Sequence, residues 1–262
     1  MSRAAYYTCI KNKKSKTTIE NECIMEEIQK IHKEFKGMYG SPRIALELND
    51  RGIFVSKNRV ARMMYKLSVY ANGSKKRKNT YKKVQENMIR ENILRQDFRV
   101  GNKNLAWSGD ITYIPTKQGF LYLAVFIDLC TRKIVGYSCS NKIDSDLVVA
   151  ALNDEINKEN PQKRMIIHTD RGSQYVSKKY QDRVKEIEGI PSMSRPGTPY
   201  DNAITESFFK SFKREVMVNK KFDSKQEAKN AVFEYIELFY NIKRKHSSLN
   251  NLSPIDFEKT ML

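Results

Sequence analysis

The chain has 262 residues, 40% of them hydrophobic and 10% aromatic, which supplies a sizeable core and sets it apart from disordered polypeptides. Its net charge of +18 is lopsided: residues 1–104 carry 24 Lys and Arg against 10 Asp and Glu, and residues 105–262 carry 24 against 20. No apolar run reaches the length of a membrane span and the N-terminus lacks a hydrophobic signal core. Four scattered cysteines (Cys9, Cys23, Cys130, Cys139) with three histidines argue against a zinc site. These features predict a cytoplasmic protein with reduced thiols. A basic half joined to a nearly neutral half predicts a module for binding a polyanion, most simply nucleic acid, attached to something else.

In chain order, residues 20–36 place Ile24, Ile28, Ile31 and Phe35 on one face of an amphipathic helix. A second helix starts near Pro42 and carries Ile44, Leu46 and Leu48. "DRGIFVS" reads as a turn, with Ser56 as N-cap of a third helix from Lys57 to about Leu67. In that third helix Val60, Met63, Met64 and Leu67 point inward, while Lys57, Arg59, Arg62 and Lys66 stay exposed. A helix, a tight glycine-containing turn and a basic second helix are the elements of a helix-turn-helix, so these four cations are the expected DNA contacts. The polar, cationic stretch 71–83 predicts a linker, and 84–97 predicts a helix.

From Leu105 the pattern changes to strands. "LAWSGDITYIP", "GFLYLAVFIDL" and "KIVGYSCS" predict an antiparallel meander turning at "CTRK". "SDLVVAALNDEINKEN" is a helix capped by Asp144 or Ser145. "RMIIHTD" is a short, continuously apolar strand of the kind buried in parallel pairing. A helix at about 177–188, a loop punctuated by Pro196, Gly197 and Pro199, a helix after Asp201 and Asn202, and a long helix at 224–241 complete the list. The expected architecture is α/β: a mixed-sheet, ribonuclease H-like core over 105–262, preceded by an α-helical, helix-turn-helix-like region over 1–70 and a basic linker over 71–104.

Three acidic residues stand where such sheets place their sites. Asp110 lies inside the first strand, Asp170 ends the parallel strand, and Glu206 projects from the helix face opposite Ile204, Phe208, Phe212 and Val216, close to Asn202, Lys210 and Lys213. If the three converge, their repulsion calls for a cation, and oxygen-only ligands select Mg²⁺ or Mn²⁺. Lys210 and Lys213 then serve as phosphate contacts and Asn202 as a supporting or substrate group. Each acid also has a plain reading: strand edge for Asp110, turn former for Asp170, half of a surface pair with Lys210 for Glu206. Asp128 is a competing carboxylate. His168 shares a strand face with Asp170, and His246, beside Arg244 and Lys245, reads as a phosphate contact or a solvated surface residue.

Asp170 and Glu206 have 35 residues between them, and with Asp110 they resemble the Asp-Asp-Glu pattern of transposases and retroviral integrases. The words "WSGDITYIP", "LYLAVFIDLCTRKIVGY", "IHTDRGSQY", "SMSRPGTPYDNAITESFFKSFKRE" and "YNIKRKHSSLNNLSPIDF" are similar to the catalytic, second-frame transposase of bacterial insertion sequences that encode two overlapping reading frames. The resemblance runs over about 1–258, "MSRAAYY" included. It implies a DNA transposase with an RNase H-like core, with Asp110, Asp170 and Glu206 as the catalytic, metal-binding triad and Mg²⁺ as cofactor, Mn²⁺ substituting. It further implies cleavage at the element's ends, direct transesterification by the freed 3′-OH, and a circular intermediate. Beside the resemblance, the residues themselves point to DNA contacts at Lys57, Arg59, Arg62, Lys66, Asn202, Lys210, Lys213 and Arg244. The implied partners are DNA at element ends and target, further copies of the chain on DNA, and a first-frame protein or fusion with it, in a nucleoid-associated, cytoplasmic setting. A hydrolytic nuclease of the same fold, or a non-catalytic DNA-binding regulator, is the alternative expectation.

Overall fold

In a computed structural model of the chain, the described residues are 16–72, 91–98, 100–159, 161, 163–195, 198–218 and 221–261. The chain divides into two units, Met1–Arg77 and Lys78–Leu262.

Among the described residues the smaller unit is three helices: α1 (Lys16–Glu34), α2 (Ser41–Asp50) and α3 (Lys57–Lys66). Their apolar stripes meet, burying Ile28 and Ile31 of α1 against Ile44, Leu48, Val60 and Met63. The turn between α2 and α3 needs a left-handed residue, supplied by Gly52 at φ +82°, and the Asn49 side chain closes it by accepting from the Val55 N–H at 2.9 Å. Ser56 caps α3, its hydroxyl accepting from the Arg59 N–H.

The larger unit is built on a five-stranded sheet in the order β3-β2-β1-β4-β5. β1 (Ala106–Thr116), β2 (Gly119–Asp128) and β3 (Ile134–Ser140) form the expected antiparallel meander; β4 (Ile166–Thr169) runs parallel to β1, and β5 (Ile190–Met193) parallel to β4. The helix α4 (Ser145–Glu159), capped by Asp144, packs on β2 and β3. With α6 (Lys178–Glu186, capped by Ser177) it covers a core that includes Trp107, Phe126, Leu147, Ile167 and Val184. α7 (Ala203–Val216) and α8 (Lys225–Tyr235) pack on β1 and β2. Phe208 and Phe212 of α7 meet Tyr240 and Tyr235 with ring centroids 4.9 and 5.3 Å apart. A short helix α5 (Ser173–Val176) follows Asp170, and α9 (Pro254–Lys259) lies near the C-terminus.

Several local expectations change. β5 has only four residues, one of them proline, and no alternation that announces a strand; parallel pairing to β4 makes it one. The expected helix 84–97 lies mostly outside the described residues, and 91–98 is turn and irregular backbone. The long helix at 224–241 is α8 followed by a π-helical turn over Ile236–Tyr240. Asn241, just beyond, bonds both backbone groups of Ile134 through its side-chain amide and so covers part of the sheet's β3 edge. The stretches 1–15 and 73–90, including Cys9 and most of the expected linker, lie outside the described residues. Among the described residues no helix is long and apolar enough to cross a membrane.

Candidate active site

Sheet register brings the first two acids together. Gly109 pairs with Thr169 across the parallel β1–β4 ladder, so Asp110 and Asp170 are the next residues on neighbouring strands. Asp110 is partly buried, and its Oδ1 accepts from the Ile111 N–H at 2.7 Å. Asp170 Oδ1 accepts from the Gly172 N–H at 2.9 Å, fixing the loop that leads into α5. Gly109 itself has no room for a side chain, because a Cβ there would sit 2.4 Å from the Phe126 ring. That close approach packs the strand tightly right beside the acid.

The third acid arrives on α7. Its N-terminus is tied to β1 by a buried chain in which the Ser108 hydroxyl donates to Asn202 Oδ1 and Thr205 Oγ1 donates to Ser108 Oγ at 2.9 Å. Glu206, in the first turn, therefore sits beside Asp110, where the positive end of the helix favours a carboxylate. Its side chain is 37% exposed and pairs with Lys210 at 3.7 Å, the surface pair that spacing alone predicts.

The electrostatics record this neighbourhood. The Asp110 carboxyl is pushed up to about 8, first by burial and then by repulsion from Asp170, with Glu206 adding to the rise; the Ile111 N–H and Lys213 act against it. Burial also raises Asp170, and the Gly172 N–H partly offsets the rise. Lys213 lies over the Tyr113 ring at 4.9 Å, lowered by burial and held up by Asp110. Among the described residues no three acidic, imidazole or thiol groups close on one point at ion-holding distance. Each triad carboxylate instead keeps a local partner: the Ile111 N–H, the Gly172 N–H or Lys210. The donor set nevertheless suits a hard divalent cation, being carboxylate oxygens alone, with one acid raised first by burial and then by the other two.

The competing groups have structural employment. Asp128 is buried and accepts from the backbone N–H groups of Asn104, Cys130 and Thr131 and from the Thr131 hydroxyl, so its oxygens hold the β2–β3 turn. His168 is buried between Ser192 and Ser194, whose hydroxyls lie 2.9 and 3.0 Å from its two ring nitrogens; burial lowers it to about 4. Asp201 braces the preceding loop, accepting from the Arg195 N–H and the Thr198 hydroxyl, and does not cap α7.

Of the expected DNA contacts, Lys57, Arg62, Lys66 and Lys210 are exposed. Asn202 is buried in the Ser108 tie. Arg59 is drawn into its own unit, bonding Glu20 at 2.9 Å and the Asn21 side chain through two guanidinium nitrogens. Arg244 is a correction. It is buried, it grips Glu215 in a two-pronged pair at 2.9 Å for each prong, and it also donates to Ser211. A guanidinium so engaged clamps the end of α7 and is not a phosphate contact. His246 is likewise built in, edge-on to Tyr240 with centroids 4.9 Å apart and 3.4 Å from Arg244 Nη1. Sequence reasoning passed over Ser108 and Thr205, neither of which carries a charge to signal its place.

The mixed five-stranded sheet with helices packed on it is that of an integrase core. Family models agree: an HTH-like domain matches residues 18–78, and Integrase core domain models match 102–199 and 190–254. The transposase for insertion sequence element IS904 of Lactococcus lactis is 44% identical, covering 94% of this chain and 97% of its own. Transposase InsF for insertion sequence IS3A of Escherichia coli K12 is 39% identical over 87% of this chain and 79% of its own. A simian T-cell lymphotropic virus intasome chain shares the fold at 14% identity and a TM-score of 0.51, covering 88% of this chain and 74% of its own. The chain belongs to the insertion-sequence transposases that carry an integrase core, and is a polynucleotidyl transferase that acts on DNA.

Proposed function

We propose that Asp110, Asp170 and Glu206 are the catalytic carboxylates of this transposase and together hold Mg²⁺, with Mn²⁺ as a substitute. The observation that carries the proposal is the raised Asp110, whose ionisation Asp170 and Glu206 oppose from two other elements. A strand that buries one acid against two more bears an electrostatic cost, which divalent charge offsets. When bound, the cation supplies positive charge that activates an attacking hydroxyl and stabilises the leaving oxygen of a phosphodiester. The carboxylates orient that charge, the Ser108–Asn202–Thr205 tie keeps Glu206 at the strand, and Lys210 and Lys213 neutralise the DNA backbone beside it.

The reaction that suits this arrangement is direct transesterification. A 3′-OH at an element end forms a new P–O bond as one P–O bond of the attacked strand breaks, and the leaving 3′ oxygen takes up a proton. No covalent protein intermediate is required. The helix-turn-helix-like region 1–70 contributes Lys57, Arg62 and Lys66 to DNA binding; 71–104 links it to the catalytic region 105–262. We further propose that several copies act together on DNA in the cytoplasm, with a first-frame protein or fusion supplying part of end recognition.

The test is strand joining on a branched oligonucleotide that mimics a joined element end. Glu206→Gln should abolish joining in Mg²⁺ or Mn²⁺ while DNA affinity stays within about twofold, because affinity comes mainly from Lys and Arg. Joining that survives in the variant or in chelator refutes the assignment. Metal-dependent cutting without joining would mark a nuclease instead.

A further inference from the structure

Five residues after Asp170, α5 carries Tyr175, whose side chain is completely enclosed. Its ring edges against Tyr180 with centroids 5.3 Å apart, and its main-chain oxygen accepts from the Gln181 side chain at 2.6 Å. The phenolic oxygen is buried with no hydrogen-bond partner. Such an oxygen has lost its hydration and gained no bond in return, so packing alone is better served by Phe. What distinguishes the position is its company. Asp170 begins the loop that leads into α5, the β1–β4 register sets Asp110 on the adjoining strand, and both carboxylates bear on the phenol.

Tyr180 provides an internal control. It is also fully buried with an unpartnered hydroxyl, but it stands on α6, ten residues beyond Asp170, and not on the helix that the Asp170 loop enters.

We propose that Tyr175 is a positioning residue of the metal site, its hydroxyl donating to an aspartate oxygen, of Asp110 or Asp170, that leaves its present local partner to face a bound cation. A carboxylate that ligates a metal is ordinarily held by an outer hydrogen bond, and removing such a partner weakens metal binding about 10–100-fold. Both aspartates now spend one oxygen on a neighbouring backbone N–H. A rotation toward a cation leaves a lone pair for the buried phenol. The inference rests on the proposed carboxylate site and adds to it a side chain that touches neither metal nor DNA.

The experiment measures Mn²⁺ binding to the full chain without DNA, by the electron paramagnetic resonance signal of free Mn²⁺, alongside thermal melting in chelator. Tyr175→Phe should weaken Mn²⁺ about tenfold while melting at or above the wild-type temperature, since only an unpartnered oxygen is lost. Tyr180→Phe should bind Mn²⁺ within twofold of wild type, and Asp110→Asn should remove specific binding. If Tyr175→Phe binds normally while Asp110→Asn does not, the role of Tyr175 falls and the carboxylate site stands. If Asp110→Asn binds normally, the carboxylate site falls and this inference with it. Equal weakening by the two Tyr→Phe changes, or loss of cooperative melting in Tyr175→Phe, makes the hydroxyl a packing element and overturns the proposal.

Discussion

Replacing Asp110 with Asn should make the larger unit more stable while removing metal binding. Asn keeps the acceptor for the Ile111 N–H and nearly the same volume, so the change deletes charge and little else. The carboxyl is raised from an ordinary 3.8 to about 8 in the folded chain. A group whose folded value lies above its unfolded one favours the folded state fully below the unfolded value, and that advantage is lost as pH rises through the folded value. Wild type and variant should therefore melt alike near pH 4 and diverge up to about pH 8. Over that span the shift corresponds to a ceiling of about 6 kcal/mol. Partial exposure of the acid and relaxation around it reduce the expected gain to about 2 kcal/mol, or roughly 4–8 °C for a unit of this size. The assay is thermal melting in chelator from pH 4 to pH 8.5, repeated with Mn²⁺, which should stabilise wild type and leave Asp110→Asn unmoved. Coincident melts at pH 8, or an advantage already complete at pH 4, would refute the reasoning.

Other substitutions probe the remaining assignments. Arg244→Ala strips the guanidinium from buried Glu215 and should cost about 3 kcal/mol in urea unfolding of the larger unit, far more than loss of a surface contact. Because burial holds His168 near 4, wild type should lose about 2–3 kcal/mol as pH falls from about 6.5 to about 4, and His168→Gln should flatten that part of the pH–stability curve. An unchanged slope in the variant would place the proton uptake elsewhere. Arg62→Ala should weaken DNA binding and reduce the salt slope by about one ion, whereas Arg59→Ala, already committed to Glu20 and Asn21, should leave that slope unchanged in filter-binding titrations.

What the sequence by itself determined is local. Helical stripes such as Ile24, Ile28, Ile31 and Phe35, the cap Ser56, the choice of Asp144 or Ser145 as cap, and the three strands of the meander all read correctly, because each depends on neighbours within a few residues. The sheet's outline followed from them, and so did the interest in Asp110, Asp170 and Glu206, each an acid at an element that has little local use for one. Where sequence reasoning stopped, partners lay far along the chain. Arg244 and Lys210 are alike as isolated cations, but Glu215 lies across a buried helix contact from one and Glu206 one exposed turn from the other. Asp128 and Asp110 are alike as strand carboxylates until the β2–β3 turn supplies three donors to the first and the Asn104 N–H, ahead of β1, a fourth. β5 exists only because β4 offers it a ladder. Tertiary structure decided the register that sets Asp110 beside Asp170, the Ser108 tie that holds the start of α7 against β1, and the burial of an unpartnered phenol on α5. Charge repulsion and hydrogen bonding act across space, so the pairs they couple were settled only when distant strands and helices came together.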